Sequence, residues 1–225
     1  NMDPAGPLQL CYVRENSVPE GKLGGGFTGQ HRNLAAETIG PGDVGRLVYC
    51  TGDVATVTMD QAYSTVRVTT SAADPRIYGV VSRPYPLLIN SLGEGGILVC
   101  DESGAVRNGD YLESAGLRGL ARRQALPKLR NSTCAKATQD CDFGRLFYWV
   151  SPDGALVRRH SLVDPAAVPH LARADLDVLA VDTGTTTDPE WGDDRLRDEL
   201  LGLDEHPAGT YAHRAWLVAC TYHCG

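Results

Sequence analysis

No apolar run in this 225-residue chain approaches the roughly eighteen residues that a membrane-crossing helix needs. The first residues lack the basic-then-apolar order of a secretory leader, so the chain is expected to be soluble, without membrane insertion. Excess positive charge is also missing. Lys plus Arg number 21 against 28 Asp plus Glu, a net charge of -7, so no basic field collects phosphates and nucleic acid is not an expected partner. No G-x-S-x-G nucleophile elbow occurs, and the carboxylates form no pattern that fixes a hydrolase. The spacing of Asp182, Asp188, Glu190, Asp193 and Asp194 misses the EF-hand order and reads as a solvated acidic loop. A repeat of fixed period and a clear interdomain linker are both lacking. No cofactor is expected.

What is present is an ordinary globular composition, 42% hydrophobic and 22% charged, long enough for one large β domain. The seven cysteines, Cys11, Cys50, Cys100, Cys134, Cys141, Cys220 and Cys224, are odd in number and widely spread, which argues against a disulfide framework. Cys50, Cys100 and Cys220 end apolar runs (RLVYC, GGILVC, WLVAC) and read as small buried hydrophobes in a protein assembled in a reducing cytoplasm. Met2 follows Asn1, which suggests Met2 as the natural start of a whole small protein; a fragment of a longer chain is the alternative.

Short runs rich in β-branched and aromatic residues dominate: LQLCYVR, RLVYC, DVATVTMD, YSTVRVTTS, RIYGVVS, GGILVC, GDYLES, CAKATQD, LFYWV, ALVRRHSLV, LDVLAVD and AHRAWLVACTY. Turn residues punctuate the gaps between them, predicting about a dozen strands. In YSTVRVTTS, Tyr63, Thr65, Arg67 and Thr69 alternate with Ser64, Val66 and Val68, the pattern of a half-buried antiparallel strand. The Ser-Gly at 103–104 and the Asn-Gly at 108–109 predict two tight turns and the densest hairpin signal of the chain. One short helix is expected at 193–203, where Asp193 or Asp194 caps a face of Leu196, Leu200 and Leu203. The expectation is thus a mainly β chain: a single antiparallel β-rich domain over 1–225, barrel-like or sandwich-like. Its parts are an N-terminal strand and Gly-rich loop (1–32), a β core (33–145), and a C-terminal excursion (146–225) with the acidic loop and a terminal strand.

Candidate chemistry is sparse. GKLGGGFTGQHR (21–32) concentrates glycine, but Gln-His-Arg follows where a P-loop requires Gly-Lys-Ser/Thr, so it is read as a turn and not as a phosphate cradle. Thr28, His31 and Arg32 could place a base beside a hydroxyl nucleophile. Cys220, His223 and Cys224 in CTYHCG could supply part of a zinc site, with Cys134 and Cys141 as a second pair at non-standard spacing. Among Trp149, Trp191 and Trp216, Trp191 in the acidic loop is the expected exposed aromatic and a candidate binding residue.

FTGQHR (27–32), YGVVS (78–82), NSLGEGGILVC (90–100), NGDYLESAG (108–116), AKATQDCDF (135–143) and AWLVACTYHCG (215–225) together carry a resemblance. They resemble, in order, a β-domain that ends fibre and tail-fibre-like proteins of marine phages and of large double-stranded DNA viruses of algae and protists. More distantly, the chain is similar to the intramolecular-chaperone autoprocessing domains of phage tailspikes and neck appendages, which share a GVVS strand and a later GDY hairpin. The resemblance implies a virion protein assembled in the host cytoplasm, a homotrimer contacting other virion proteins and a host-surface glycan or receptor. It also implies that some relatives cleave themselves, although the Ser and Lys pattern of the Ser/Lys autoproteases is missing here. The leading expectation is therefore a non-enzymatic trimeric fibre-tip or capsid-associated module. A self-cleaving chaperone using Thr28, His31 and Arg32 is the second, and a carbohydrate-binding module the third.

Overall fold

Two closed rings of five strands, sharing one long strand, organise the protein. The computed structural model describes residues 28–58, 62–144, 146–161, 166–182, 185, 188–202 and 211–223. LQLCYVR, Cys11, most of the Gly-rich segment and Cys224 lie outside these residues.

The shared strand is β6 (Leu87–Cys100), which reads LLINSLGEGGILVC. Around its first half the partners are β1 (Thr28–Arg32) on one edge and β5 (Ile77–Pro84) on the other. From β5 the ladder passes to β3 (Leu47–Val57), then to β4 (Ala62–Val68), and returns through β2 (Leu34–Ala35), which pairs parallel to β4. Only Asn33 separates β1 from β2, so the two act as one segment and the first ring closes. Asn33 is the joint: its N–H donates to Leu87 O at 3.2 Å and its Nδ2 to Ser64 O at 3.2 Å, one bond to each flanking strand. Inside lie Ile39, Val48, Val66, Val68, Val81, Leu87 and Ile89. The alternation expected of YSTVRVTTS holds, with Val66 and Val68 buried in this interior.

The second ring uses the other half of β6. β12 (His213–His223) runs antiparallel to it from Ala215↔Cys100 to His223↔Leu92. β9 (Thr133–Ala137), β7 (Tyr111–Ser114) and β8 (Ala121–Arg123) follow, and β8 closes the circle by a parallel pairing of Ala121 with Val99. Ile97, Val99, Leu112, Cys134, Phe143, Val218, Cys220 and Tyr222 fill it, and Leu47 and Val80 join the same cluster from the first ring. Each ring thus has four antiparallel pairings and one parallel closure. The backbone around Gly45–Leu47 ties the rings together, with Leu98 N–H donating to Gly45 O at 2.9 Å and Leu47 N–H to Gly119 O at 2.8 Å.

The expected hairpin at Asn108-Gly109 is a different object. Val106 bridges Cys141 and Tyr111 pairs with Lys136, so the chain on both sides of the turn runs along one partner without reversing. Arg107–Asp110 is a bulge that interrupts a single ladder, with Asp110 N–H bonded to Arg107 O at 2.9 Å. Asn108 N–H donates to Asp140 Oδ1 across the ladder at 2.7 Å. Gly109, at φ 94°, supplies the left-handed residue that the bulge requires. Positive φ serves a chain reversal and a bulge alike, so the Asn-Gly dipeptide by itself does not distinguish them.

Beyond the rings, β10 (Leu146–Val150) pairs with the start of β12 and forms a ladder with β11 (Leu156–Ser161). Two helices follow, α1 (Arg173–Asp182) and α2 (Asp193–Gly202). The second is the expected one. The first contains LDVLAVD, expected as a strand; its Leu176 and Ala180 fall one helical turn apart and are buried with Val168, Leu196 and Leu200 in a small cluster of their own. A short apolar run satisfies either period, and packing against α2 decides for the helix. FTGQHR, expected as a turn, is strand β1 over Thr28–Arg32.

Candidate functional site

β1 carries the first set of sequence candidates. His31 and Arg32 are adjacent in an extended strand, so they face opposite ways; both are exposed. His31 lies against Tyr78, ring centroids 6.0 Å apart. The strand therefore turns His31 and Arg32 away from each other.

The C-terminal candidates part in the same manner. Cys220 is 2% exposed, inside the second ring beside Tyr222. His223 is exposed on the outer face, with its Nε2 3.3 Å from Thr221 Oγ1. Cys134 and Cys141 belong to the same buried cluster as Cys220, and Cys134 Sγ donates to Leu112 O at 3.2 Å. Among the described residues no three His, Cys, Asp or Glu gather as a metal site. Burial raises the Cys141 thiol above its ordinary value and pushes that of Cys100 up to about 12.

Trp191 is half-buried, not the exposed aromatic expected. It packs on the helix-pair cluster, and the Arg195 guanidinium stands 3.7 Å from its ring centroid. The Trp191 carbonyl accepts from Arg173 Nη1, tying the loop to α1. Trp216 is packed partly into the second ring and stacks on Tyr148 at 5.4 Å, while Trp149 meets Phe147 edge-on at 4.9 Å.

Charged residues outside these sets are used as clamps. Asp74, 3% exposed, accepts from Arg76 N–H at 3.0 Å and from Arg76 Nε and Nη2 at 2.9 Å each. Burial alone would raise the Asp74 carboxyl; the Arg76 bonds outweigh it and hold the group below the usual carboxylate range. Asp101 accepts Arg214 N–H at 3.0 Å and Nε at 2.7 Å, while Arg214 Nη1 reaches Phe143 O at 2.8 Å. The buried Arg46 guanidinium donates to Gly42 O and Arg118 O, and desolvation lowers its pKa. Arg118 in turn pairs with Asp43 and Glu37, joining three loops.

Beside a hollow of about 460 Å³ lined by the Asp43, Arg46 and Arg118 clamp, two further concave features stand out among the described residues. One is an open groove of about 1000 Å³ at the seam of the two rings, walled by Val44, Leu98, Tyr148, Leu156 and Leu217. The other is a hollow of about 420 Å³ at the Asn33 end of the first ring, bounded by Arg32, Asn33, Glu37, Tyr85 and Pro86. Sequence reasoning singled out only Arg32 here. An exposed Tyr between two prolines in RPYPLL was the available signal.

No known protein family, curated protein or solved structure matches the chain.

Proposed function

We propose that the protein is a non-enzymatic assembly module, a homotrimeric fibre-tip or capsid-associated unit of a virion. The observation that carries this reading is the outer face of the β6–β12 ribbon. Leu98 pairs with Leu217, Gly96 with Ala219, Glu94 with Thr221 and Leu92 with His223. Along that face Leu92 is 56% and Leu217 48% exposed, and Val44, 45% exposed, flanks it at the groove. Small residues between exposed leucines line the open groove with a mostly uncharged surface, laid on a rigid double ring, that another copy of the chain would cover. A stable contact buries about 800 Å² per partner. The rigidity comes from the clamps: ion pairs spent on crosslinking loops serve a scaffold.

The test is light scattering on the size-exclusion peak of the full chain, with intact mass on the same fraction. Three full-length copies are expected, with Leu92→Lys and Leu217→Lys giving a folded monomer of unchanged circular dichroism. A monomeric parent chain would overturn the proposal.

A further inference from the structure

We propose that the loop between β8 and β9 is a docking tip that seats on an anionic lipid surface from the aqueous side. Between Glu113 and Asp140 the chain carries six cations, Arg118, Arg122, Arg123, Lys128, Arg130 and Lys136, and no carboxylate, in a protein whose net charge is -7. Half of these cations are engaged. Arg122 holds Glu113 at 3.1 Å and Glu102 at 3.4 Å, Arg118 pairs with Asp43 and Glu37, and Lys136 stands over the Tyr111 ring. Arg123 donates to the Ser103 carbonyl at 2.8 Å, and neither it nor Lys128 nor Arg130 meets a carboxylate among the described residues. All seven residues from Ala125 to Asn131 are exposed, Leu126 at 51% and Leu129 at 61%. One exposed leucine is ordinary; two on a single tip, beside three unopposed positive charges, call for a surface that is both apolar and anionic.

The tip is held in shape from beneath. Gln124, 6% exposed, donates from Nε2 to Leu126 O and Lys128 O at 2.6 Å each, and its Oε1 accepts from Thr133 Oγ1 at 2.7 Å. Thr133 Oγ1 in turn accepts Arg130 N–H at 2.9 Å, so one buried amide and one hydroxyl tie both arms of the loop to the second ring. Little ordering remains to oppose a contact.

Size decides the occupant. A specific protein contact takes about 20–30 residues a side and about 800 Å², of which seven residues supply a fraction. A lipid surface needs only a few apolar side chains with cations beside them, because headgroups and acyl chains close around whatever enters. Nucleic acid would satisfy the charges and leave the leucines in water. The bilayer is touched and not crossed, since no described helix is long and apolar enough to span it. One copy of the chain suffices, so the reading does not rest on the homotrimer.

The experiment is flotation of the full chain with vesicles of phosphatidylcholine alone, or with about one-third phosphatidylserine, in about 0.1 M and about 1 M NaCl. Binding is expected on the anionic vesicles at the lower salt. It should be about a hundredfold weaker on the neutral ones, about fivefold for each of three cations, and sharply reduced at the higher salt. Leu126→Ser with Leu129→Ser, exposed changes that leave circular dichroism as in the parent, should weaken it by about tenfold or more. Lys128→Ala with Arg130→Ala should weaken it about 25-fold. No flotation with anionic vesicles, equal binding to neutral ones, or binding that survives loss of both leucines would each overturn the proposal. Retention on immobilised polyglutamate that vesicles do not compete and the leucine variant does not diminish would also overturn it, in favour of an acidic protein.

Discussion

Tyr222 crosses the neighbouring strand at Gly95 to donate its hydroxyl to Gly96 O at 2.7 Å. A Cβ on Gly95 would stand 2.4 Å from that hydroxyl and 2.8 Å from the ring. The glycine is there so that the aromatic ring can lie over bare backbone in the second ring, as aromatics cover glycines in tightly curved sheets.

Gly95→Ala should therefore destabilise the protein by about 1–3 kcal/mol, the usual cost of overpacking. In a Tyr222→Ala background the same change should cost far less, because the ring is gone. Denaturant unfolding of the four proteins checks this, and additive effects would refute it.

The Asp74–Arg76 pair sets a pH dependence. A carboxyl held below its usual value contributes stability that is fully present above about pH 4 and is lost as pH falls through the folded value. Asp74→Asn should cost about 1.5–3 kcal/mol at pH 7, the range for hydrogen bonds to charged groups. The gap between variant and parent should narrow as pH falls below about 4. A gap independent of pH would show that the charge contributes nothing.

Thiol reactivity should divide by burial. With its pKa pushed up to about 12, Cys100 at pH 8 is thiolate in only on the order of one molecule in ten thousand. Cys50 is half-buried and its pKa is raised, chiefly by burial. Iodoacetamide labelling followed by peptide mapping should mark Cys50 in the native protein, and Cys100 and Cys141 only after denaturation. Equal native labelling of the three would contradict the burial described.

The helix pair has its own core and should melt by itself. Leu196→Ala removes a fully buried side chain from it, a change that costs about 2–5 kcal/mol in a well-packed site. Hydrogen exchange should accelerate across 173–182 and 193–202 while protection of β6 and β12 stays as in the parent. Loss of protection in both regions would mean that the pair and the rings fold as one unit.

Strand content was readable because period-2 patterns such as YSTVRVTTS report burial directly, one residue at a time. Val66 and Val68 could be assigned inward from spacing alone. Closure was not readable, since it depends on which strand edges meet. β6 contains no sign that its two halves serve different rings, and β8 is three residues long. LDVLAVD misled because seven residues fit either period, and the contacts that settle it come from α2, some twenty residues later. Candidate residues were chosen by chemical type, and alternation along a strand separated His31 from Arg32 and Cys220 from His223. Asn33 and Asn90 carry no such sign, because an amide oxygen left without a partner is a property of three-dimensional surroundings.

The sharing of β6 gives the protein an order of birth. The described strands of the first ring, from Thr28 to Gly93, are translated before any strand that belongs only to the second. The second ring must wait, gapped, until His213–His223 has emerged from the ribosome to lie along β6. During synthesis the first ring is thus a finished platform carrying one half-used strand, and the nascent chain closes on itself only after β10, β11 and the helix pair have been made.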